Sequence, residues 1–247
     1  MRVDATTYAD ATTRILGWAQ AAAGGYVCAA NVHMCMEAYD RSHFRSVVNA
    51  ARLVTPDGMP LVLMLRRMGI AGQPRVYGPD LTLHVLAAAA ATGLRVGFYG
   101  GSESTLASLL TIYAARFPGL VIAYAYSPPF RPLTVEEDRQ VVADINGSDV
   151  QVLFVGLGCP KQEMWCADHA AVLPCIQVAV GAAFAFHAGE VAHCPPWLQR
   201  LSLEWLYRLC AEPRRLWRRY VWNNPRFMLL AGWQLLTRRG TGGPGQG

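Results

Sequence analysis

Three stretches of this chain hold side chains suited to chemistry on a phosphorylated sugar. The first is Pro56-Asp57-Gly58, with Arg75 eighteen residues on. Taken alone, Pro-Asp-Gly is first of all a type I turn. Its chemical reading is a carboxylate at a strand end, placed to take a proton from a sugar hydroxyl. Arg75 could neutralise a diphosphate leaving group through its fork of donors, although a surface Arg is the commoner case. The second stretch is Gly100-Gly101-Ser102. It can bring backbone N–H groups close to a phosphate, and a tight strand-to-helix turn explains it nearly as well. The third is Gly156-Leu-Gly-Cys-Pro-Lys-Gln-Glu163. Two glycines, a Pro at a helix start and two polar residues in the first turn suit a ligand at a helix N-terminus. Gln162 could hydrogen-bond a sugar, whereas Glu163 also simply favours the helix dipole. The six histidines lack metal-ligand spacing and no D-x-D motif occurs, so neither a metal nor a cofactor is expected.

The elements that must position these residues alternate. The pattern predicts a helix over 8–22, a strand over 26–30 and a helix over 37–50. A strand follows at 51–54, stopped by Thr-Pro-Asp-Gly, then a helix over 59–68. Three strand–loop–helix units come next. Their strands are 94–99, 121–126 and 150–155, and their helices are 103–116, 134–146 and 161–172. A last strand spans 176–180. Apolar strands alternating with amphipathic helices mean parallel strands and right-handed crossovers. The expected fold class is α/β, a Rossmann-like parallel sheet with helices on both faces. Ligands bind beyond the carboxyl ends of such strands. Asn31, Asp57, Gly100–Ser102, Ser127–Phe130, Gly156–Glu163 and Gly181–Phe184 all fall there, which predicts one convergent site.

The end of the chain differs in kind. Residues 197–239 hold nine Arg, two acids and five of the seven Trp, while the rest is slightly acidic. Interleaved Arg and Trp suit a surface both anionic and greasy, such as a phospholipid headgroup layer. An ordinary basic helix or a nucleic-acid patch are the blander readings. The expected division is a catalytic domain over 1–195, a basic amphipathic helical appendage over 196–239 and a disordered tail over 240–247. No apolar run approaches the ~20 residues that span a bilayer, and the acidic start excludes a signal peptide. Seven cysteines, an odd number without C-x-x-C, point to reduced thiols in a cytoplasm.

Together the motifs resemble a bacterial glycosyltransferase family of the WecG/TagA/CpsF type. It contains the teichoic-acid N-acetylmannosaminyltransferase and the enterobacterial-antigen N-acetylmannosaminuronate transferase. The stretches that carry the resemblance are Thr55–Gly58, Arg75–Leu81, Gly100-Gly101, Ser127–Pro132, Val155–Glu163, Val180–Phe184, Leu203–Arg208 and Glu212–Arg215. They run in order over nearly the whole chain.

The resemblance implies an inverting, metal-free enzyme, peripheral on the cytoplasmic face of the membrane. It would move a sugar from a UDP-sugar to a sugar on a polyprenyl diphosphate, in surface-polysaccharide assembly. It implies Asp57 as general base, Arg75 near the diphosphate, and Asn31 and Gln162 around the sugars. Gly100, Gly101 and Glu163 are counted among the substrate-binding residues, and the loop at Ser127–Phe130 would lie near the nucleotide. Arg208, Arg215 and Arg219 share roughly one helical face, which would close over the lipid diphosphate, with Pro213 kinking or breaking the helix. An anionic membrane surface would be a partner, nucleic acid would not, and a homo-oligomer is compatible. Two positions depart from the family pattern: Ala29 stands in place of Thr and Ala185 in place of Asp, which leaves the donor sugar open. The rivals are a nucleotide-dependent oxidoreductase, against which stands the missing G-x-G-x-x-G, and an inactive membrane-surface scaffold.

Overall fold

The computed structural model describes residues 1–191, 194, 195, 198 and 204–241. Helix α1 (Tyr8–Gln20) leads into strand β1 (Tyr26–Ala30), α2 (Val32–Asp40), α3 (Ser42–Ala50), β2 (Leu53–Pro56) and α4 (Met59–Arg67). Then come α5 (Gly78–Thr92), β3 (Arg95–Gly100), α6 (Glu103–Arg116), β4 (Val121–Tyr126), α7 (Val135–Gly147) and β5 (Val152–Gly156). The chain continues through α8 (Lys161–His169), β6 (Ile176–Ala179) and α9 (Ala183–His187). It closes with two helices, α10 (Glu204–Ala211) and α11 (Pro213–Thr241).

The six strands form one parallel sheet in the order β2-β1-β6-β5-β3-β4. Successive side chains of a strand point to opposite faces, and here each face has its own core. Val27, Leu53, Phe98, Phe154 and Val178 pack with α1, α5, α6 and α9. Their neighbours Cys28, Val54, Tyr99, Leu153 and Ala179 pack with α2, α3, α7 and α8. A sheet covered on both faces explains why these strands read as continuous apolar runs.

Several expected boundaries shift. Ala22 lies beyond the end of α1, in a turn at φ 46°. The helix expected over 37–50 is two helices broken at Arg41, whose extended backbone ends α2 and begins α3. β2 runs through Thr55 and Pro56 where a stop was expected. Helix α5 was not expected: apolar Leu83, Ala87, Ala88 and Ala91 dilute the buried stripe of Leu81, Val85 and Ala89. A break at Pro213 is present, with Pro213 opening α11, the helix position where a missing N–H costs least. Pro225 lies inside α11 without ending it. Trp197, Arg200, Leu203 and the tail from 242 lie outside the described residues.

Candidate active site

Asp57 is carried one residue past β2. Its N–H donates to the Ala30 carbonyl at 2.9 Å, tying the loop to the end of β1. Gly58 then caps α4 with extended backbone. Asp57 Oδ1 accepts from the Gly78 N–H at 3.2 Å, the first residue of α5, and lies 3.8 Å from Arg75 Nη2. Arg75 Nε also donates to the Asp57 carbonyl, and its guanidinium stacks 4.0 Å from the Tyr77 ring centroid. Burial pushes the Asp57 carboxyl up to about 6. The Arg75 charge opposes that shift and the Glu204 charge adds to it.

Glu204, on α10, reaches Arg75 Nη1 at 2.7 Å. The same two C-terminal helices bring Trp205, Arg208, Arg219, Tyr220 and Asn223 to the pocket that Asp57 and Asn31 line. Arg208 lies over the Phe186 ring at 5.3 Å, and its buried Nε has no hydrogen-bond partner among the described residues. Arg219 Nη2 approaches Asn31 Oδ1 at 3.5 Å. Asn31 Oδ1 also accepts from Met34 N–H at 3.2 Å, so this residue is the N-cap of α2 as well as a pocket wall. His33 is pushed down to about 4 by burial and then by Arg219, so it is neutral, and its Nδ1 meets the Asn223 amide at 3.2 Å. Asp57, Arg75, Asn31, Arg208 and Arg219 are thus brought together. The side chain of Arg215 lies outside the described residues.

The expected single convergence is two pockets. A second, larger one of about 680 Å³ opens at the ends of β3, β4 and β5. Gly101, Pro128–Phe130, Gly156, Lys161 and Trp165 line it. Ser127 Oγ donates to the Gly101 carbonyl at 2.8 Å and so joins its two loops. Gly100 sits at φ 118°, and a Cβ there would meet Gly156 O at 2.6 Å. The close approach of two loops accounts for that glycine without a phosphate.

Gln162 and Glu163 lie in neither pocket. They are 3% and 0% exposed. Gln162 Oε1 accepts from Gly158 N–H at 3.0 Å, and its Nε2 donates to Glu163 Oε1 at 2.7 Å. Their amide–carboxyl pairing turns inward the two polar groups that the sequence presents as ligand contacts. Cys159 is a buried thiol held well above its ordinary pKa by that burial and by Glu163, which leaves it protonated and a poor nucleophile. None of the seven cysteines is in a disulfide.

Sequence reasoning missed Tyr77, Glu204, Trp205, Tyr220 and Asn223. Tyr77 and Glu204-Trp205 carried a signal, as parts of the Arg75–Leu81 and Leu203–Arg208 stretches. Among the described residues no three His, Cys, Asp or Glu side chains cluster as a metal ion would need.

Residues 1–241 match the glycosyl transferase WecG/TagA/CpsF family. Two similar proteins are both N-acetylglucosaminyldiphosphoundecaprenol N-acetyl-beta-D-mannosaminyltransferases. The one from Bacillus spizizenii is 32% identical over 199 residues, 80% of this chain and 75% of that protein. The one from Bacillus subtilis is 30% identical over 192 residues, 77% of this chain and 72% of that protein.

Proposed function

The chain belongs to the WecG/TagA/CpsF family of glycosyl transferases, and from that premise we propose that it moves a sugar from a UDP-sugar to a sugar carried on a polyprenyl diphosphate. Its relatives' names suggest N-acetylmannosamine as the sugar transferred and an N-acetylglucosaminyl diphosphate lipid as the acceptor, and we take UDP as the carrier of that sugar.

One observation carries the reading. A half-buried carboxyl, raised to about 6, lies 3.8 Å from the Arg75 guanidinium in a pocket that Arg208 and Arg219 also line. An acceptor hydroxyl is a weak nucleophile. As its oxygen bonds to the anomeric carbon from the face opposite UDP, its proton passes to Asp57, and the configuration inverts. The bond from the anomeric carbon to the diphosphate breaks, and UDP leaves with both electrons. Arg75 meets the developing negative charge in place of a metal ion, and Arg208 and Arg219 face the diphosphate of the acceptor lipid. Gly101 and Phe130 border the pocket that we assign to the nucleotide, and Ser127 ties its two loops together.

The Asp57 pocket has a volume of about 110 Å³, against the roughly 300–1,000 Å³ that a small-molecule site takes. Substrate entry therefore requires α10 and α11 to move outward, and their return excludes water. The outer side of α11 shows Trp217, Trp222, Leu229, Trp233 and Leu236 to solvent. No described helix is long and apolar enough to cross a membrane. We assign this face to peripheral contact with the inner surface of the cytoplasmic membrane.

The test is UDP release from a panel of UDP-sugars, with a prenyl-diphosphate N-acetylglucosamine acceptor and EDTA present. Acceptor-dependent release from one donor is expected. No release from any donor, with or without added divalent cation, overturns the reading.

A further inference from the structure

A second hollow lies along the same helix seam as the Asp57 pocket. It has a volume of about 240 Å³, and Met36, Leu61, Met64, Met68, Phe227 and Leu230 form most of its wall. An apolar cavity of roughly 150 Å³ already takes a benzene-sized guest. Its polar groups are those of Arg45, Tyr39, Gln234, the Cys35 thiol and the chain's amino terminus at Met1.

The two pockets share their walls in register. On α4, Met59 and Pro60 border the Asp57 pocket, while Leu61, Met64 and Met68 border the hollow at the helix and just past its end. On α11, Tyr220, Asn223 and Asn224 border the first, and Phe227 and Leu230 the second, one to two turns on. The seam is therefore cationic and polar at one end and apolar at the other. Leu229 and Trp233, beside the groove residues on α11, are 75% and 70% exposed, so the apolar end adjoins the greasy outer face of that helix.

Resting on the function proposed above, we infer that this hollow holds the proximal isoprene units of the acceptor lipid, with its diphosphate at Arg208 and Arg219. A molecule with an anionic head joined directly to a branched hydrocarbon chain matches that order of surfaces. Flexible methionine side chains suit the irregular outline of an isoprenoid. A free UDP-sugar would leave the hollow empty.

Two measurements test the assignment. The first is photolabelling of the full chain with a short prenyl diphosphate bearing a benzophenone at its tail, followed by peptide mapping. Labels on Met36, Met64, Met68 or Leu230 are expected. Labels confined to the exposed Trp217, Trp222 and Trp233 face, or no specific labels, overturn it. This arm needs no turnover, so it stands even if the transfer reaction is not found.

The second compares acceptors of one and of several isoprene units. Ala231 borders the hollow, and Ala231→Met or Ala231→Phe would fill it. Each is expected to raise KM for the long acceptor about tenfold and leave the shortest acceptor unchanged. Equal effects on both acceptors, or none on either, in an enzyme that turns over both, overturn the groove while leaving the transferase reading intact.

Discussion

Glu204 holds the guanidinium of Arg75 at 2.7 Å across 129 residues of chain. Arg75 in turn lies 3.8 Å from Asp57. The C-terminal helices thus touch the proposed base through one intermediary and help set its acidity. Glu204 occupies the guanidinium that would otherwise meet a phosphate, so an incoming diphosphate must displace it. This makes Glu204 a positioning residue that reports whether the cover is closed.

The acidity of Asp57 gives the first prediction. A base works only when deprotonated, so kcat/KM should rise with pH through about 6, the value to which burial pushes this carboxyl. The Glu204 charge contributes to that upward shift. Glu204→Gln should therefore move the acid limb to lower pH, and Arg75→Gln should move it to higher pH. A limb that stays in place in both variants would show that the three side chains are not in contact in the free enzyme.

Removing the base itself should be far costlier. Asp57→Asn should lower kcat roughly 10²- to 10⁴-fold, the usual range for a general base, while donor KM changes little. Single-turnover UDP release measures this directly. Wild-type turnover in Asp57→Asn would withdraw the assignment.

How much of this was legible beforehand follows from what each feature depends on. β1, β4 and α6 lie where the apolar runs and their bounding turn residues put them, and in β1 burial on both faces leaves no polar position to blur the run. The break at Arg41 was not visible because no Gly or Pro marks it, and α5 was not, although Gly78-Pro79 opens it and Gly93 ends it, because its apolar residues show no clean period. Asp57 and Arg75 were legible from a local motif and its spacing. Glu204, Tyr220 and Asn223 were not, because only tertiary folding brings α10 and α11 over the sheet. Gln162 is the opposite case. A polar side chain in a first helical turn looks like a ligand contact, and only the fold reveals that it points at Glu163 and Gly158.

The outer face of α11 leads to a third prediction. Trp222 and Trp233 are 68% and 70% exposed, and neither borders the Asp57 pocket. Replacing both with Ser should weaken co-sedimentation with anionic phospholipid vesicles at least tenfold, or about 1.4 kcal/mol. UDP release with a water-soluble acceptor should be unchanged. Because Arg adds an electrostatic share of about 1 kcal/mol per residue near an anionic surface, added salt should weaken binding further. Equal vesicle binding by the double variant and the parent would exclude this face as the membrane contact.

Glu163 supplies a fourth prediction, in stability. Burial raises this carboxyl to about 7 in the folded protein, against about 4.3 for an unfolded chain. As pH rises between those values the unfolded state gives up its proton first, so the folded state binds more protons and stability falls with pH. The contribution is fully present below the lower value and lost as pH passes the higher one. Its size is about 3 kcal/mol, or ~6–12 °C in Tm for a domain of this size. Glu163→Gln cannot ionise and removes that dependence. Asp57 shifts in the same direction but remains in both proteins, so it cancels in the difference. The Tm of Glu163→Gln minus that of the parent should therefore climb from pH 5 to pH 8. A difference that is flat across that range would mean that Glu163 titrates alike in the folded and unfolded chains, and that its contacts with Gln162 and Cys159 compensate its burial.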